Sequence, residues 1–128
     1  LQMFNKCVEL EPDEYNFYFN RAIAYLSAKQ PAPAIPDLEK TMSLHPAGYD
    51  KQIEPYMNAL YDAGQYEKAR KVASEAIQRK TSLPRAYLIR AFSAYQMQDR
   101  AAALPDAQQA AALDPSNASL QQLLNNLR

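Results

Sequence analysis

An alanine that opens a helical run recurs at Ala34, Ala69 and Ala103, and a proline closes such runs at Pro12, Pro46 and Pro115. A period of about 34 residues marks a helical repeat array. Each unit of such an array buries its apolar face against a neighbour, and no enclosed pocket gathers a few side chains for chemistry. Function then lies on the extended surface that stacking creates. The spacing therefore points to a binding scaffold and leaves its partner open.

The copies can be aligned residue by residue. Tyr18, Arg21-Ala22, Tyr25, Ala34-Ile35, Leu38, Thr41, Leu44 and Pro46 return 69 residues later as Tyr87, Arg90-Ala91, Ala94, Ala103-Leu104, Ala107, Ala110, Leu113 and Pro115. Only Ala94 departs, standing where an aromatic is expected. The middle copy keeps Ala69, Ala76 and the turn-like stretch Gly64-Gln65-Tyr66-Glu67-Lys68-Ala69, with Met57 in the small-residue slot and Thr81 in place of proline. This pattern resembles the tetratricopeptide repeat (TPR). The resemblance implies an all-α fold, an α-solenoid of antiparallel helix pairs wound as a right-handed superhelix. The expected organisation is one domain, 1–128: a half repeat 1–14, repeats of about 15–49, 50–83 and 84–117, and a capping helix of about 118–128.

Elementary physics accounts for the motif. Alanines at 22, 34, 91 and 103 are small where two helix axes approach within roughly 8 to 10 Å. Tyr18, Ala22 and Tyr25, like Leu38, Thr41 and Met42, recur at the three- and four-residue steps of a helix that buries one face. Gly64 suits a left-handed residue after a helix end. Glu11-Pro12, His45-Pro46 and Asp114-Pro115 stop helices because proline restricts the residue before it. Pro36 and Pro105 lie too deep for the harmless first helical position, which predicts a late start or a bend in each second helix. Pro55 likewise predicts a first helix of the middle repeat that kinks or starts near Glu54. Two charge pairs share one spacing, Arg21 with Asp37 and Arg90 with Asp106, and the middle repeat carries Tyr56 and Val72 at those places. Each Arg is expected to pair with the Asp of its partner helix.

At the ends, Phe4, Cys7, Leu10 and Pro12 fall where Leu38, Thr41, Leu44 and Pro46 fall later, so Leu1 to Leu10 is expected to be the second helix of a preceding repeat in a longer protein. Ala118 to Arg128 places Leu120, Leu123, Leu124 and Leu127 on one face and polar Gln121 and Asn125 in the aromatic and small slots, as a solubilising cap would.

Fourteen basic residues balance fourteen acidic ones, so neither a nucleic-acid footprint nor a patch for an anionic membrane is evident. Cys7 is the lone cysteine, which excludes an internal disulfide, leaves cytoplasm and periplasm both open, and reads as a small buried apolar residue. His45, the sole histidine, reads as a solvated residue near a helix end. Glu9, Glu11, Asp13 and Glu14 read as a solvated run. No metal set, phosphate loop or nucleophile elbow is present, so the expectations are no enzyme activity, no catalytic residue, no cofactor and no metal.

Binding is where the pattern is informative. The resemblance implies that first helices line a concave face, bringing Asn16, Phe19, Asn20, Ile23 and Leu26 there, with Lys51, Glu54, Asn58 and Tyr61 from the middle repeat and Arg85, Leu88, Phe92 and Tyr95 from the third. The expected partner is a protein or peptide in an apolar-anchored groove; the alternative for Phe19, Ile23, Leu88 and Phe92 is packing between helices or under the cap. Chaperone-binding members hold a terminal carboxylate with Lys, Asn and Arg at set positions. From the first whole repeat these are Phe19, Ile23, Pro55, Arg85 and Ile89, of which Arg85 alone carries the required charge; one repeat earlier they are Asn20, Lys51 and Pro55. A self-associating, homodimeric module is the other alternative.

Overall fold

A computed structural model of the chain describes residues 1–79 and 84–128; Thr81 lies outside them. Among the described residues are eight α-helices and no strand: α1 Gln2–Leu10, α2 Tyr15–Ser27, α3 Pro31–Leu44, α4 Tyr49–Asp62, α5 Tyr66–Gln78, α6 Pro84–Gln96, α7 Arg100–Leu113 and α8 Ala118–Leu127. The chain forms two compact units, Leu1–Ala63 and Gly64–Arg128. In the first, α1 packs on α2, α2 on α3 and α3 on α4; in the second, α5 packs on α6, α6 on α7 and α7 on α8.

The repeat alanines do what their size allows. Ala22 and Ala34 in the first unit, and Ala69, Ala76, Ala91, Ala103, Ala107 and Ala110 in the second, are wholly buried. Met57 fills its small-residue slot, also without exposure.

Helix ends repeat as faithfully as helix faces. Glu11, His45 and Asp114 take nearly one conformation, with φ of −133°, −139° and −138° and ψ of 76°, 70° and 75°. The proline that follows each of them excludes further helix, as its sequence position requires. Their N–H groups still close the last turn, donating to Cys7, Thr41 and Ala110 carbonyls at 2.9, 2.9 and 2.8 Å. Between the helices of each pair, Gly64 is left-handed with φ of 79°, and Lys29 and Gln98 take the same slot with φ of 60° and 62°. In both non-glycine cases the chain closes a Schellman motif: Lys29 and Gln30 N–H groups donate to Leu26 and Tyr25 carbonyls, and Gln98 and Asp99 donate to Tyr95 and Ala94.

The late start expected at the prolines inside helices is not found. α3 and α7 run unbroken from Pro31 to Leu44 and from Arg100 to Leu113 across Pro36 and Pro105. α4 starts at Tyr49 behind a 3-10 turn, Pro46–Gly48, well before Glu54, and runs through Pro55. The reason is solvent. The carbonyls that lose their donors belong to Ala32, Ala101 and Lys51, residues on exposed turns, where water can take the place of the missing donor.

The two charge pairs form as the spacing implies. Arg21 Nε and Nη2 donate to Asp37 Oδ2 and Oδ1 at 2.8 and 2.6 Å, and Arg90 makes the same fork on Asp106 at 2.7 and 2.7 Å. The remaining nitrogen extends each clamp to the preceding helix, Nη1 reaching Asn5 Oδ1 in the first unit at 3.1 Å and Ser74 Oγ in the second at 3.2 Å. Each guanidinium thus joins three helices, and each lies 5.9 Å above a tyrosine ring, Tyr18 or Tyr87. Its pKa is raised, first by the carboxylate hydrogen bonds and against some desolvation. In the middle repeat, Tyr56 at the corresponding place donates its hydroxyl to Glu39 Oε2 at 2.7 Å.

Two further expectations are corrected. Cys7 is half-buried, on a helix that packs on α2 and has no fully buried residue. His45 is not a solvated terminus: it is half-buried and its ring stacks on Tyr15, centroids 4.0 Å apart and planes 8° from parallel. Of the acidic run, Glu9, Glu11 and Asp13 are exposed, while Glu14 caps α2 by accepting from Asn16 N at 3.4 Å.

Candidate functional site

On α2, Asn16, Phe19, Asn20, Ile23 and Leu26 share one face by helical spacing. Asn16, Asn20 and Ile23 are exposed there, and Phe19 and Leu26 are half-buried. On α4, Lys51 is exposed, and Glu54, Asn58 and Tyr61 are half-buried. Three members of these sets meet. Asn16, Phe19 and Lys51 line one cleft of about 490 Å³, between the start of α2 and the turn that leads into α4. Tyr15, His45 and Gln52 complete it, together with Gly48 and its neighbours.

The local chain path explains the cleft. His45 ends α3 before Pro46, the 3-10 turn carries the backbone round, and Gly48 leaves room where a side chain would intrude. A Cβ on Gly48 would stand 2.6 Å from Gln52 Nε2 and 2.7 Å from His45 Cδ2. At φ of −87° the backbone there is open to any residue, so the glycine is needed for space. Gln52 is 3% exposed, and its Oε1 is buried and accepts no hydrogen bond.

The second unit treats the corresponding face differently. Arg85, Leu88, Phe92 and Tyr95 are half-buried. Leu88, Phe92 and Tyr95 pack against a cluster of Ala91, Ala107, Ala110, Leu120, Leu123 and Leu124, so their apolar bodies belong to the core that α8 completes. The polar side of α8, with Gln121, Gln122, Asn125 and Asn126, is exposed. Arg100 adds a side-chain hydrogen bond to the Asn126 carbonyl.

Among the described residues no group of His, Cys, Asp and Glu could hold a metal ion, and no helix is long and apolar enough to cross a membrane. Tyr15, His45, Ala47, Gly48, Asp50 and Gln52 are the lining residues that counting along the first helices did not mark. A signal for Gln52 was present all the same. Five residues before the small-residue slots Ala22, Ala91 and Asn125 stand Phe17, Ala86 and Leu120, all apolar, while before Met57 stands an amide.

No protein-family model matches the chain. A STIP1 homolog from Dictyostelium discoideum is 30% identical over 77 residues, which are 60% of this chain and 14% of that protein. The chain therefore spans a small part of this relative's length. Among solved structures, the Arabidopsis OM64 TPR domain superposes with a TM-score of 0.80 at 18% identity, over 89% of this chain and 93% of that one. The second TPR domain of human RPAP3, in complex with the HSP70 peptide SGPTIEEVD, superposes with a TM-score of 0.75 at 17% identity, over 89% and 98% of the two chains. Helix pairs with alanine contacts, proline-stopped second helices and these superpositions lead to one architecture: the chain has the fold of the tetratricopeptide repeat, an all-α array of helical hairpins.

Proposed function

We propose that the chain is a non-catalytic protein-interaction scaffold that binds a peptide segment of a partner along the exposed face of its first helices. The observation that carries this reading is the cleft of about 490 Å³, which gathers Asn16, Phe19 and Lys51 from two helices at one place. The likeness to a TPR domain solved with a bound peptide supports it. Asn20, Ile23, Glu54, Asn58 and Tyr61 extend the proposed surface within the first unit, and Arg85, Leu88, Phe92 and Tyr95 are its counterparts in the second. Repeats of about 15–49, 50–83 and 84–117, flanked by the half repeat 1–14 and the cap 118–128, are the proposed organisation.

Substitution at the apolar anchor Phe19, with the core residue Phe92 as contrast, tests the reading. Phe19→Asp should abolish binding of a selected peptide with helicity retained, since a charge at a half-buried contact loses both area and desolvation balance. Phe92→Asp should instead lower the melting temperature, because Phe92 packs on the α6–α8 cluster. Peptide affinity untouched by Phe19→Asp, in a folded variant, would sink the proposal.

One observation favours a second reading, self-association. Met3 and Leu10 on α1 are each 68% exposed, an unusual display of large apolar side chains on a short helix. Light scattering should show a dimer that Met3→Ser with Leu10→Ser dissolves; a monomer at all concentrations rejects it. A chaperone-type carboxylate site fits less well, because Phe19, Ile23, Pro55 and Ile89 stand at four of its five positions, and Ile89 is buried in the core.

A further inference from the structure

Gln52 is a group in the first unit that packing does not explain. Its amide is held over Gly48, buried, with Oε1 lacking any donor, and leaving a buried acceptor unmade is costly. The fold does not call for an amide there. At the same register in the second unit stand Ala86 and Leu120, both fully buried. An apolar residue would serve the core better, and yet the residue that carries this acceptor lines a recess of about 490 Å³.

The surroundings indicate what would satisfy it. Tyr15 and His45 form a flat stacked wall, and Phe19 supplies an apolar surface on the α2 side. Asp50 and Lys51 at the rim carry opposite charges, so the cleft offers no net charge to an ion. An uncharged donor beside flat apolar surface is what an extended polypeptide backbone presents.

We infer that this cleft takes the main chain of an extended peptide, one of whose backbone N–H groups donates to Gln52 Oε1 as the buried amide turns toward the cleft. The exposed ammonium of Lys51 donates to a neighbouring peptide carbonyl, and Phe19 with the Tyr15–His45 stack bears on the peptide's side chains. This rests on the scaffold reading and names the atom by which the scaffold would grip its partner's backbone. Recognition of this kind is tolerant of sequence, because every residue except proline offers the N–H.

The probe is a dodecapeptide selected from a random displayed library on the 128-residue chain. Its affinity is measured by fluorescence anisotropy, unmodified and with each backbone nitrogen methylated in turn. On the wild-type chain, methylation at one interior position should weaken binding about tenfold, the worth of one well-placed hydrogen bond. Gln52→Met, similar in length but without the acceptor, should weaken the unmodified peptide by a similar factor, and the two changes together should cost no more than either alone. Because Gln52→Met removes an unsatisfied oxygen, it should unfold at equal or higher urea, which separates lost affinity from lost fold. Gly48→Ala, which crowds the same amide and alters no charge, should weaken the same peptide.

If a peptide is lost on Phe19→Asp but is indifferent to Gln52→Met and to every methylation, the inference falls and the scaffold reading stands. If weakening follows only amidation of the peptide's C-terminus, a carboxylate is the ligand and the inference again falls. If no peptide is selected, or none responds to Phe19→Asp, both fall.

Discussion

Leu120 in the second unit and Gln52 in the first occupy one register, and their surroundings have opposite characters. Leu120 is fully buried among Ala91, Ala107, Ala110, Leu123 and Leu124, with Leu88, Phe92 and Tyr95 closing over them. Gln52 is almost as buried, yet it borders open space beside Phe19, the residue that corresponds to Leu88. The helix pairs behind them are alike, down to the same arginine fork on aspartate. The difference shows that the repeat period dictates where helices lie, while the side chains at their junctions differ in whether the space between them is filled or left open.

The largest expected effect breaks the filled side of that comparison. Leu120→Ala should cost about 3 kcal/mol in urea denaturation, as truncation of a fully buried leucine does. A loss under about 1 kcal/mol would mean that the cluster collapses around the gap, and that α8 is a loosely held cap.

The shared feature comes next. Removing Arg21 leaves Asp37 at 6% side-chain exposure without its partner, whereas removing Arg90 leaves Asp106 at 12%. Arg21→Ala should therefore cost about 2 kcal/mol and Arg90→Ala somewhat less, below the cost of a fully buried pair because both guanidinium groups stay partly solvated. A double-mutant cycle with Asp37→Ala showing coupling under about 0.5 kcal/mol would reduce the fork to surface decoration. The sign with pH is clear. A raised guanidinium pKa means that the contribution is complete below the ordinary arginine value and is lost only as pH climbs through the higher folded one. The arginine side of the pair therefore imposes no pH dependence near neutrality.

The smallest effect sharpens the comparison at the turns. Lys29 and Gln98 hold the left-handed slot that Gly64 holds in the middle repeat. Lys29→Gly and Gln98→Gly should each stabilise by about 0.5 kcal/mol, the relief of left-handed strain less the greater freedom of an unfolded glycine. Gly64→Ala should cost about 1 kcal/mol from conformation alone, because nothing lies within 4 Å of the Cβ it would add. Destabilisation by both glycine variants would show that the Schellman turns are held by their side chains.

Much of this was legible in the residues themselves. The alanine slots, the proline stops at Glu11, His45 and Asp114 and the Arg–Asp forks repeat at fixed spacing, and spacing along a helix converts directly into a shared face. The prolines at 36, 55 and 105 do not delay their helices: a local rule counts the lost hydrogen bond without seeing that the turn that loses it is exposed. Lys29 and Gln98 were hidden because only glycine advertises a positive φ. Within the candidate site, Asn16, Phe19 and Lys51 follow from the resemblance, counted along its first helices, whereas Tyr15 and His45 are brought together across two helix ends that no period relates.

By itself the sequence determined the repeat, its helices, the proline stops after α1, α3 and α7 and the pairing of Arg21 with Asp37 and Arg90 with Asp106, because these depend on contacts within one hairpin and recur with its period. Only the tertiary structure decided which apolar faces close and which stay open. Phe92 sits against a cluster that α8 completes, and Phe19 sits beside a recess shaped by Gly48 and a buried amide. That outcome depends on volumes contributed by three separate helices and a turn, and no single stretch of chain encodes the space left among them.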